Sequence, residues 1–419
     1  MSPAKWDVVV IGAGPGGLAA AIAADKAGAS VCLVEREARP GGILKQCIHD
    51  GFGLVRFGRK LTGPEYAFLD IEEVKGRGIK LFTETFLLDL DRSEEGFVLT
   101  LQNSEEAVFR LEAKALVAAT GCRERTARQV FIHGQRPAGV YTAGTVQRLI
   151  NISGYLPGKN CVILGSGDIG LIMARRLTLE GAKVLGVYEI KPEPSGLTRN
   201  IVQCLEDYNI PLHLSTTVTE VHGTERLEGV TVCRVDENMR PLPGSEEYVP
   251  CDTLVLSVGL IPENDILHPL GVEIDPRTGG PVVDQLLATS EAGLFSCGNA
   301  LHVNDLVDYV SESGEIAGAS AARHALGDYR PPRHVPILAK GEILYAVPQR
   351  LDVSLGGQGI LYFRAARTLT DAALVISAGG RVLGEKKYKS LRPPEMERIV
   401  LDLSLVPAGE ENIVLELRG

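Results

Sequence analysis

The fold is decided by residues 8–35, whose sequence is VVVIGAGPGGLAAAIAADKAGASVCLVE. The first four residues form an uninterrupted apolar run, which is typical of a strand buried on both faces of a parallel sheet. Residues 12–17 then have the G-x-G-x-x-G spacing and lead into an alanine-rich helix that ends near Gly28. Residues 31–34 form the next strand, and Glu35 closes it. Strand, glycine turn, helix, strand and acid together predict a dinucleotide-binding unit.

Each part of the glycine turn has a physical reason. Gly12 permits the tight turn, Gly14 lets a pyrophosphate approach the backbone, and Gly17 lets the helix pack against the strand. The start of the helix presents free N–H groups and the positive end of its dipole to phosphates. Glu35 can accept hydrogen bonds from a ribose diol. The alternative, a purely structural glycine turn, does not explain this acid.

The same pattern recurs at residues 161–189, where the turn is Gly-Ser-Gly-Asp-Ile-Gly and the strand after the helix ends at Glu189. Two such units predict an α/β protein with two Rossmann-like domains and two bound dinucleotides. A hydride donor and a hydride acceptor are the simplest reason to bind both. Glu189 favours NAD, because a carboxylate there binds the 2′-hydroxyl of NAD and repels the 2′-phosphate of NADP.

Composition excludes several other functions. The 419 residues are 45% hydrophobic and 23% charged, as in ordinary globular proteins, and the formal net charge is −10. This acidic balance argues against nucleic-acid binding. The absence of a long apolar run argues against a membrane span, and the immediate N-terminal strand leaves no room for a signal peptide. We therefore expect a cytoplasmic protein. The eight cysteines lack metal-ligand spacing, so no metal site is predicted.

Further motifs carry a family resemblance. The pair Gly41-Gly42 follows the first acid, and LVAATG (residues 116–121), LVLSVG (254–259) and LFSCGN (294–299) end apolar strands. Together with the two glycine turns, they resemble the two-dinucleotide-binding flavoproteins of the pyridine nucleotide–disulfide oxidoreductase superfamily. The resemblance implies FAD in the first turn and NAD in the second. Asn299 stands where the family usually has an aspartate that binds the ribityl chain, although Asn299 can still accept one hydrogen bond.

The resemblance also implies the domains and the contacts. It assigns an FAD-binding domain to residues 1–122 and 284–331, an inserted NAD-binding domain to residues 123–283, and a linker to residues 330–333. The predicted cofactor-binding residues are Gly12, Gly14, Pro15, Gly16, Gly17, Glu35, Arg36, Gly42, Thr120, Gly121, Gly165, Gly167, Asp168, Ile169, Gly170, Glu189, Gly259, Gly298 and Asn299.

A helix is expected to begin near Asn304 or Asp305, either of which is a good cap, and to run toward Ala322. In the family, the start of this helix points at the N1–C2=O edge of the flavin, where its dipole stabilises negative charge. A carboxylate of Asp308 pointing inward would oppose that charge. We therefore expect Asp308 to face away or to act as a helix-start charge.

Residues 334–419 have a different pattern of apolar and polar residues. Leu401, Leu403 and Leu405 alternate with polar residues, and residues 413–418 alternate in the same way. This period of two predicts strands, and glycine pairs punctuate the runs. We expect a small antiparallel β-sandwich whose role is packing or partner docking.

The run QCIHDGFGL (residues 46–54) and the segment 304–308 resemble a narrower group. These are the NAD(P)/FAD-dependent oxidoreductases found beside anaerobic glycerol-3-phosphate dehydrogenase subunits. This resemblance implies two partners, namely a partner flavin dehydrogenase subunit, together with a small cysteine-rich electron-transfer protein. The wider relatives include the α-subunits of opine oxidase, hydrogen cyanide synthase and heterotetrameric sarcosine oxidase. Homo-oligomerisation is also left open.

Cys47 and His49 are the candidate catalytic residues. Cys47 could be a redox thiolate whose pKa is lowered by His49 or Lys45, and His49 could donate a proton. The alternatives are a packing cysteine and a histidine that only holds the loop. The expected activity is hydride transfer between NAD(H) and flavin, with electrons passed to a second acceptor. Two alternatives remain, a free-standing single-cysteine NADH oxidase or peroxidase, and an electron-transfer subunit of an amine or opine oxidase-like complex that is inactive alone.

Overall fold

The computed structural model describes residues 3–328, 330, 332–407 and 409–419. These residues form two compact units. The first contains residues up to 122 together with residues 262–419, and the second contains residues 123–261. The predicted linker and the predicted end of the FAD-binding domain include residue 331, which lies outside the described residues.

The first unit is built on a seven-stranded sheet with the order β5-β2-β1-β8-β7-β6, in which β20 also pairs with β8. Its elements are β1 (Ala4–Ile11), α1 (Pro15–Lys26), β2 (Val31–Val34), β3 (Asp50–Phe52), β4 (Leu61–Thr62), α2 (Gly63–Arg77), β5 (Lys80–Phe82), β6 (Phe86–Ser93), β7 (Gly96–Asn103), β8 (Ala107–Ala118), β20 (Leu294–Ser296) and α6 (Val307–Ala325). Strands β1, β2, β5, β8 and β20 pair in parallel, and β6 and β7 are antiparallel to their neighbours.

Both faces of this sheet are covered, which explains the unbroken apolar run of β1. Val8 and Val10 belong to the core formed with α1 and α6, whereas Val9 and Ile11 pack against residues of the antiparallel strands. Helices α1 and α6 lie close together because glycines face the contact. A methyl group added at Gly314 would lie 2.1 Å from the carbonyl oxygen of Gly16.

The second unit has a five-stranded parallel sheet with the order β11-β18-β12-β13-β14 and a four-stranded sheet with the order β10-β15-β16-β17. The chain enters and leaves it through β9 (Cys122–Glu124) and β19 (Leu260–Pro262). Its other elements are β10 (His133–Gly134), β11 (Val140–Thr142), α3 (Ala143–Asn151), β12 (Asn160–Leu164), α4 (Asp168–Leu179), β13 (Lys183–Tyr188), α5 (Thr198–Cys204), β14 (Leu212–His213), β15 (Thr216–His222), β16 (Gly229–Arg234), β17 (Glu247–Pro250) and β18 (Thr253–Leu256).

One domain boundary differs from the sequence prediction. Residues 262–283, expected in the inserted domain, lie with the first unit. Leu267 and Val272 are buried in the same core as Val9, and Asn264 donates hydrogen bonds to the carbonyl oxygens of Gly279 and Ala300. The sequence indicated the last strand of the inserted domain. It did not indicate that the segment after this strand is buried in the core of the first unit.

The C-terminal residues form two sheets around one core, with the orders β23-β21-β28-β25-β26 and β22-β24-β27. Their strands are β21 (His334–Gly341), β22 (Ile343–Val347), β23 (Arg350–Asp352), β24 (Gln358–Ala365), β25 (Leu369–Ala378), β26 (Arg381–Leu391), β27 (Met396–Asp402) and β28 (Ile413–Arg418). The predicted α/β fold with two Rossmann-like sheets and an additional C-terminal sheet domain is confirmed.

Two details of the C-terminal prediction are wrong. Strands β21 and β28 pair in parallel, so the sandwich is not wholly antiparallel. The alternating run from Leu401 to Leu405 is not one strand, because β27 ends at Asp402 and a 3₁₀ turn follows from Leu403 to Leu405. The Asp402 carboxylate accepts a hydrogen bond from Ser404 N, at 3.0 Å, and this local turn competes with strand extension.

Candidate functional site

The first glycine turn contains two glycines that its own backbone requires. Gly12 has a φ of 101°, and a methyl group added there would lie 2.4 Å from the carbonyl oxygen of Ala119. A methyl group at Gly17 would lie 1.8 Å from the carbonyl oxygen of Gly12. Real side chains cannot make such contacts, so both positions need glycine for the turn itself and for the packing of α1 on the sheet.

Gly14 is not required in this way. Its φ and ψ are −75° and −176°, an extended conformation open to any residue. A methyl group added there would have only Gly42 Cα within 4 Å, at 3.9 Å. Gly14 therefore faces open space at the N-terminus of α1, where unpaired helix N–H groups favour an anion. A pyrophosphate group fits this space, and a side chain would fill it.

The second glycine turn also has two glycines that the backbone requires and one that it does not. Gly165 has a φ of 97°, and added methyl groups at Gly165 and Gly170 would lie 2.0 Å and 2.5 Å from the carbonyl oxygens of Ser257 and Gly165. Gly167, by contrast, has a φ of −65°, and its added methyl group would meet only Ser257 Oγ, at 3.8 Å. This turn also leaves space for a phosphate at a helix N-terminus, here that of α4.

The two acids also occupy equivalent positions. Glu35 is buried and accepts hydrogen bonds from the backbone N–H groups of Ala13 and Glu37, both at 2.8 Å. Glu189 is buried and accepts from Ser166 N at 3.0 Å and from Lys191 N at 3.1 Å. Each carboxylate thus joins its glycine turn to the end of the second strand. Glu189 also accepts from Ser166 Oγ at 2.5 Å. A carboxylate has about four acceptor sites, so each acid can still accept from a ribose hydroxyl.

The second turn has an acid of its own at the helix start. Asp168, the first residue of α4, accepts hydrogen bonds from Leu197 N at 2.9 Å and Asn200 Nδ2 at 2.7 Å. Ser166 Oγ accepts from Ser195 N at 2.8 Å. These bonds hold the segment after β13 next to the turn. Asp168 was predicted as a cofactor contact, and the structure shows it holding this segment.

The segment after β20 was predicted to bind the ribityl chain. Gly298 has a φ of 64°, and its N–H group donates to Ser313 Oγ at 2.9 Å. Asn299 Oδ1 accepts a hydrogen bond from Asn304 N at 3.0 Å, and Asn299 Nδ2 lies 3.7 Å from Cys122 Sγ. The acceptor that the sequence assigned to the ribityl chain is therefore used within the protein.

The other predicted cofactor residues lie at turns and helix starts. Thr120 Oγ1 donates to the carbonyl oxygen of Glu263 at 2.5 Å, and Gly121 and Gly259 have positive φ values of 76° and 104°. Gly42 begins a 3₁₀ turn beside Gly14, since its added methyl group would lie 2.9 Å from Gly14 Cα. The side chain of Arg36 is exposed, Pro15 starts α1, Gly16 is buried in α1, and Ile169 is half-buried in α4.

The start of α6 differs from the prediction. The helix begins at Val307, and neither Asn304 nor Asp305 caps it, since Leu306 is the capping residue and makes no side-chain cap bond. Asp308 is buried in the first turn, and its carboxylate accepts hydrogen bonds from Gly53 N at 3.2 Å and Arg56 N at 2.7 Å. Asp308 is thus a helix-start charge, as expected, and it binds the loop after β3.

The candidate catalytic residues lie on the loop between β2 and β4. Cys47 is 5% exposed, and its thiol donates to the carbonyl oxygen of Ile43 at 3.4 Å. His49 is half-buried, with its ring 5.0 Å from that of Phe52. Lys45 Nζ, proposed as an activator of Cys47, binds Glu37 and the carbonyl oxygen of Arg39 instead, both at 2.5 Å. Among the described residues, which include all eight cysteines, no disulfide is formed.

A buried polar cluster was missed in the sequence. Arg56 Nη1 lies 2.6 Å from an Asp70 carboxylate oxygen, and Tyr66 Oη donates to Ser311 Oγ at 2.9 Å. Burial raises the pKa of Tyr66 to about 12, so the phenol stays protonated. The cluster joins the loop after β3 to α2 and α6. No local pattern indicated it, because Arg56 lies on a loop outside α2 and Ser311 lies 245 residues after Tyr66 along the chain.

Comparison with known proteins places the chain in a family context. The family model described as pyridine nucleotide-disulphide oxidoreductase matches residues 6–325. An opine oxidase subunit of Agrobacterium tumefaciens (strain Ach5) is 24% identical over 78% of this chain and 66% of its own length. Hydrogen cyanide synthase subunit HcnB of Pseudomonas aeruginosa is 29% identical over 63% of this chain and 59% of its own length. The chain thus covers less than two thirds of the length of these relatives.

Solved structures show the same fold. Thioredoxin reductase of T. acidophilum has a TM-score of 0.63 and 24% identity, over 77% of this chain and 99% of that chain. L-proline dehydrogenase from P. horikoshii has a TM-score of 0.57 and 20% identity, over 78% and 57% of the two chains. Within the described residues, no helix is long and apolar enough to cross a membrane.

Proposed function

The chain belongs to the pyridine nucleotide-disulphide oxidoreductase family, and from this premise we propose that it transfers a hydride between NAD(H) and FAD and passes electrons to a second acceptor. The family match confirms the predictions of an oxidoreductase and of FAD and a pyridine nucleotide as cofactors. NAD rather than NADP, the residues that bind each cofactor and the identity of the second acceptor are parts of the proposal.

One observation carries the proposal, namely the difference between the outer and the middle glycines of each turn. The outer glycines are demanded by the backbone, whereas Gly14 and Gly167 have ordinary φ angles and face open space. Neither conformation nor internal packing explains why these two positions lack a side chain. Close approach of a phosphate group to the backbone explains both.

The residues of the chain bind and orient, while the cofactors, when bound, supply the redox chemistry itself. The N–H groups at the starts of α1 and α4 would hold the phosphates. Glu35 and Glu189 would accept hydrogen bonds from the ribose hydroxyls while keeping the turns closed through their backbone bonds. Hydride transfer itself requires no general acid or base, so we assign no such role to a residue of the chain.

The second acceptor is proposed to be a partner protein. The similar opine oxidase and hydrogen cyanide synthase chains are, by their names, subunits of larger enzymes. Their similarity supports an electron-transfer subunit of a larger enzyme. That the partners are a flavin dehydrogenase subunit of the glycerol-3-phosphate dehydrogenase kind and a small cysteine-rich protein is proposed from the resemblance of residues 46–54 and 304–308 alone. We propose the reducing cytoplasm as its location, where cysteines such as these eight, none of them in a disulfide in the described structure, are stable as thiols.

A single-cysteine NADH oxidase or peroxidase is the second candidate, and Cys47 is the observation that would favour it. Its thiol is buried beside the carbonyl oxygen of Ile43, an environment that packing alone can explain. Steady consumption of NADH with O₂ or peroxide, lost in Cys47→Ala, would support this alternative. Turnover of the Cys47→Ala variant at the wild-type rate would exclude it.

Anaerobic titration of the purified protein with NADH tests the proposal. We expect the visible flavin absorption to bleach, and dye reduction to accelerate when the partner subunits are added. A long-wavelength band that is absent from Cys47→Ala would implicate the thiolate in the chemistry. A colourless protein that takes up no FAD on reconstitution would overturn the proposal.

A further inference from the structure

Arg364, on β24 of the C-terminal sandwich, is bound to the segment that leads into α6. Its side chain is 11% exposed. Nη2 donates to the carbonyl oxygen of Val303 at 3.1 Å and forms an ion pair with the Asp305 carboxylate. The remaining donors bind the sandwich itself, with Nε 2.7 Å from Tyr345 Oη and Nη1 2.5 Å from the carbonyl oxygen of Pro394. The planar guanidinium therefore joins the two parts through several directed bonds.

Asp305 is also held from the sandwich by a second bond, because Met396 N donates to its carboxylate at 2.6 Å. Asp305 was expected to cap α6, and this contact explains why it does not. Its neighbour Asn304 donates through its N–H group to Asn299 Oδ1 at 3.0 Å. The sandwich thus fixes residues 303–305, and residue 304 in turn fixes Asn299, the predicted ribityl contact.

A second polar contact holds α6 itself. The Glu312 carboxylate accepts hydrogen bonds from Arg398 Nε at 3.0 Å and Nη2 at 2.7 Å, and from Tyr362 Oη at 2.5 Å. Two residues before Glu312, α6 packs on the first glycine turn, since an added methyl group at Gly16 would lie 3.4 Å from Val310 Cγ1. The position of α6 therefore affects the shape of the first turn.

An aromatic layer lies behind the same segment. His302 is 2% exposed, with its ring 6.1 Å from that of Tyr345 and 5.5 Å from that of Tyr362. Tyr345 and Val347 of β22 share the apolar core of α1 and α6. The sandwich therefore makes both apolar and polar contacts with residues 299–312.

We propose that the C-terminal sandwich positions residues 299–312, the segment that includes Asn299 and packs on the first glycine turn. Arg364 is the positioning residue through which the sandwich acts. This inference rests on the proposed binding of FAD at the first turn. It gives the C-terminal domain a role beyond packing or partner docking. Loss of the Arg364 contacts frees Val303 from the guanidinium and leaves Asp305 held by the Met396 N bond, which loosens the segment that is bonded to Asn299 through Asn304. The competing explanation is that the same contacts only anchor the sandwich.

The two explanations differ in what Arg364→Met does to FAD binding. The test titrates FAD into apoprotein and follows flavin fluorescence, with Arg367→Met as the control. Arg367 is an exposed arginine of the same domain, paired with Glu342 at 3.1 Å. We expect the FAD Kd of Arg364→Met to rise about tenfold, within the usual range of coupling between linked sites. The FAD Kd of Arg367→Met and the NADH Kd of both apoproteins should stay at the wild-type values.

Asp305→Asn keeps the test decisive if Arg364→Met does not fold. For Asp305→Asn we expect a smaller rise in the FAD Kd, about threefold. In the double variant the two rises should not add, because both substitutions break the same Arg364–Asp305 contact. A melting temperature that falls while the FAD Kd stays within twofold of wild type in both variants would overturn the inference and leave the proposed function intact. Failure of the wild-type protein to bind FAD would overturn both.

Discussion

The two glycine turns have the same backbone design but different surroundings. In the first, Gly41 N donates to the carbonyl oxygen of Ala13 at 2.7 Å, and α6 packs on Gly16 from nearly 300 positions further along the chain. In the second, Ser195 N and Leu197 N bind Ser166 and Asp168. Both turns are bonded to the segment that follows the second strand of their own unit, but the first is also packed against a distant helix that the C-terminal sandwich holds.

This comparison shows which parts of the glycine-turn motif are equivalent in the two units and which differ. The outer glycines and the acid do the same work in both turns, because each turn packs on the chain just after a neighbouring strand, at Ala119 or Ser257, and each acid binds backbone N–H groups of its turn. What lies over each turn is set by the rest of its unit. Substitutions at equivalent positions should therefore have equivalent local effects but different consequences for the two cofactors.

The largest effect is expected from two neighbouring glycines of the first turn. Gly17→Ala places a methyl group 1.8 Å from the Gly12 carbonyl oxygen and should destabilise the first unit by about 3 kcal/mol or more. Gly14→Ala should leave the melting temperature of the apoprotein unchanged, because its methyl group meets no protein atom closer than 3.9 Å, yet raise the FAD Kd about 100-fold. Thermal unfolding and FAD titration measure the two effects. Wild-type FAD affinity in Gly14→Ala would contradict a phosphate at this turn.

Gly167→Ala is the matched change in the second turn. We expect a rise of about 30-fold in the NADH Kd, smaller than at Gly14 because the Asp168 carboxylate already shares the positive helix start. The FAD Kd should not change. Titration calorimetry with NADH on the apoprotein measures this effect. An equal loss of both cofactors would show that the two turns do not bind independently.

Acid should weaken the first unit through His302. Burial, with the Arg364 charge adding to it, lowers the pKa of His302 to about 3 from an ordinary value of 6.5. Below pH 6.5 the unfolded chain binds a proton that the folded chain does not, so stability falls as the pH drops toward 3. The expected loss between pH 6.5 and 5 is about 2 kcal/mol.

Urea unfolding across this pH range, monitored by flavin release, measures the His302 effect. His302→Gln should remove this component of the pH dependence, whereas the exposed control His268→Gln should retain it. An unchanged pH dependence in His302→Gln would contradict the assignment.

The smallest effect concerns the two acids. Glu189→Gln removes the charge that disfavours a 2′-phosphate and should reduce the preference for NADH over NADPH about tenfold. Glu35→Gln is the matched change in the first turn and should leave that preference unchanged. Ratios of kcat/KM for the two nucleotides measure it. A preference unaltered by Glu189→Gln would remove the argument for NAD.

Local patterns predicted the fold well. The bounds of β1, α1 and β2 lie within a few residues of the predicted ones, because apolar runs and glycine spacing act over a few residues. The failures share a cause. Asp305 has the residue type of a cap, but it lies one residue before the observed cap Leu306, and its carboxylate binds Arg364 and Met396 N. Competition between a local and a distant partner cannot be evaluated without knowing that the distant partner is near.

The amino-acid order alone determined the two glycine turns and the acids that follow them, because a turn whose backbone leaves no room for a Cβ atom tolerates only glycine at those positions. Tertiary structure alone decided which groups surround those turns. Asp308 binds Gly53 N and Arg56 N, and Arg364 binds Val303, through contacts between segments remote in the chain. Such contacts depend on how whole sheets and helices pack, and packing leaves no short-range pattern in the sequence.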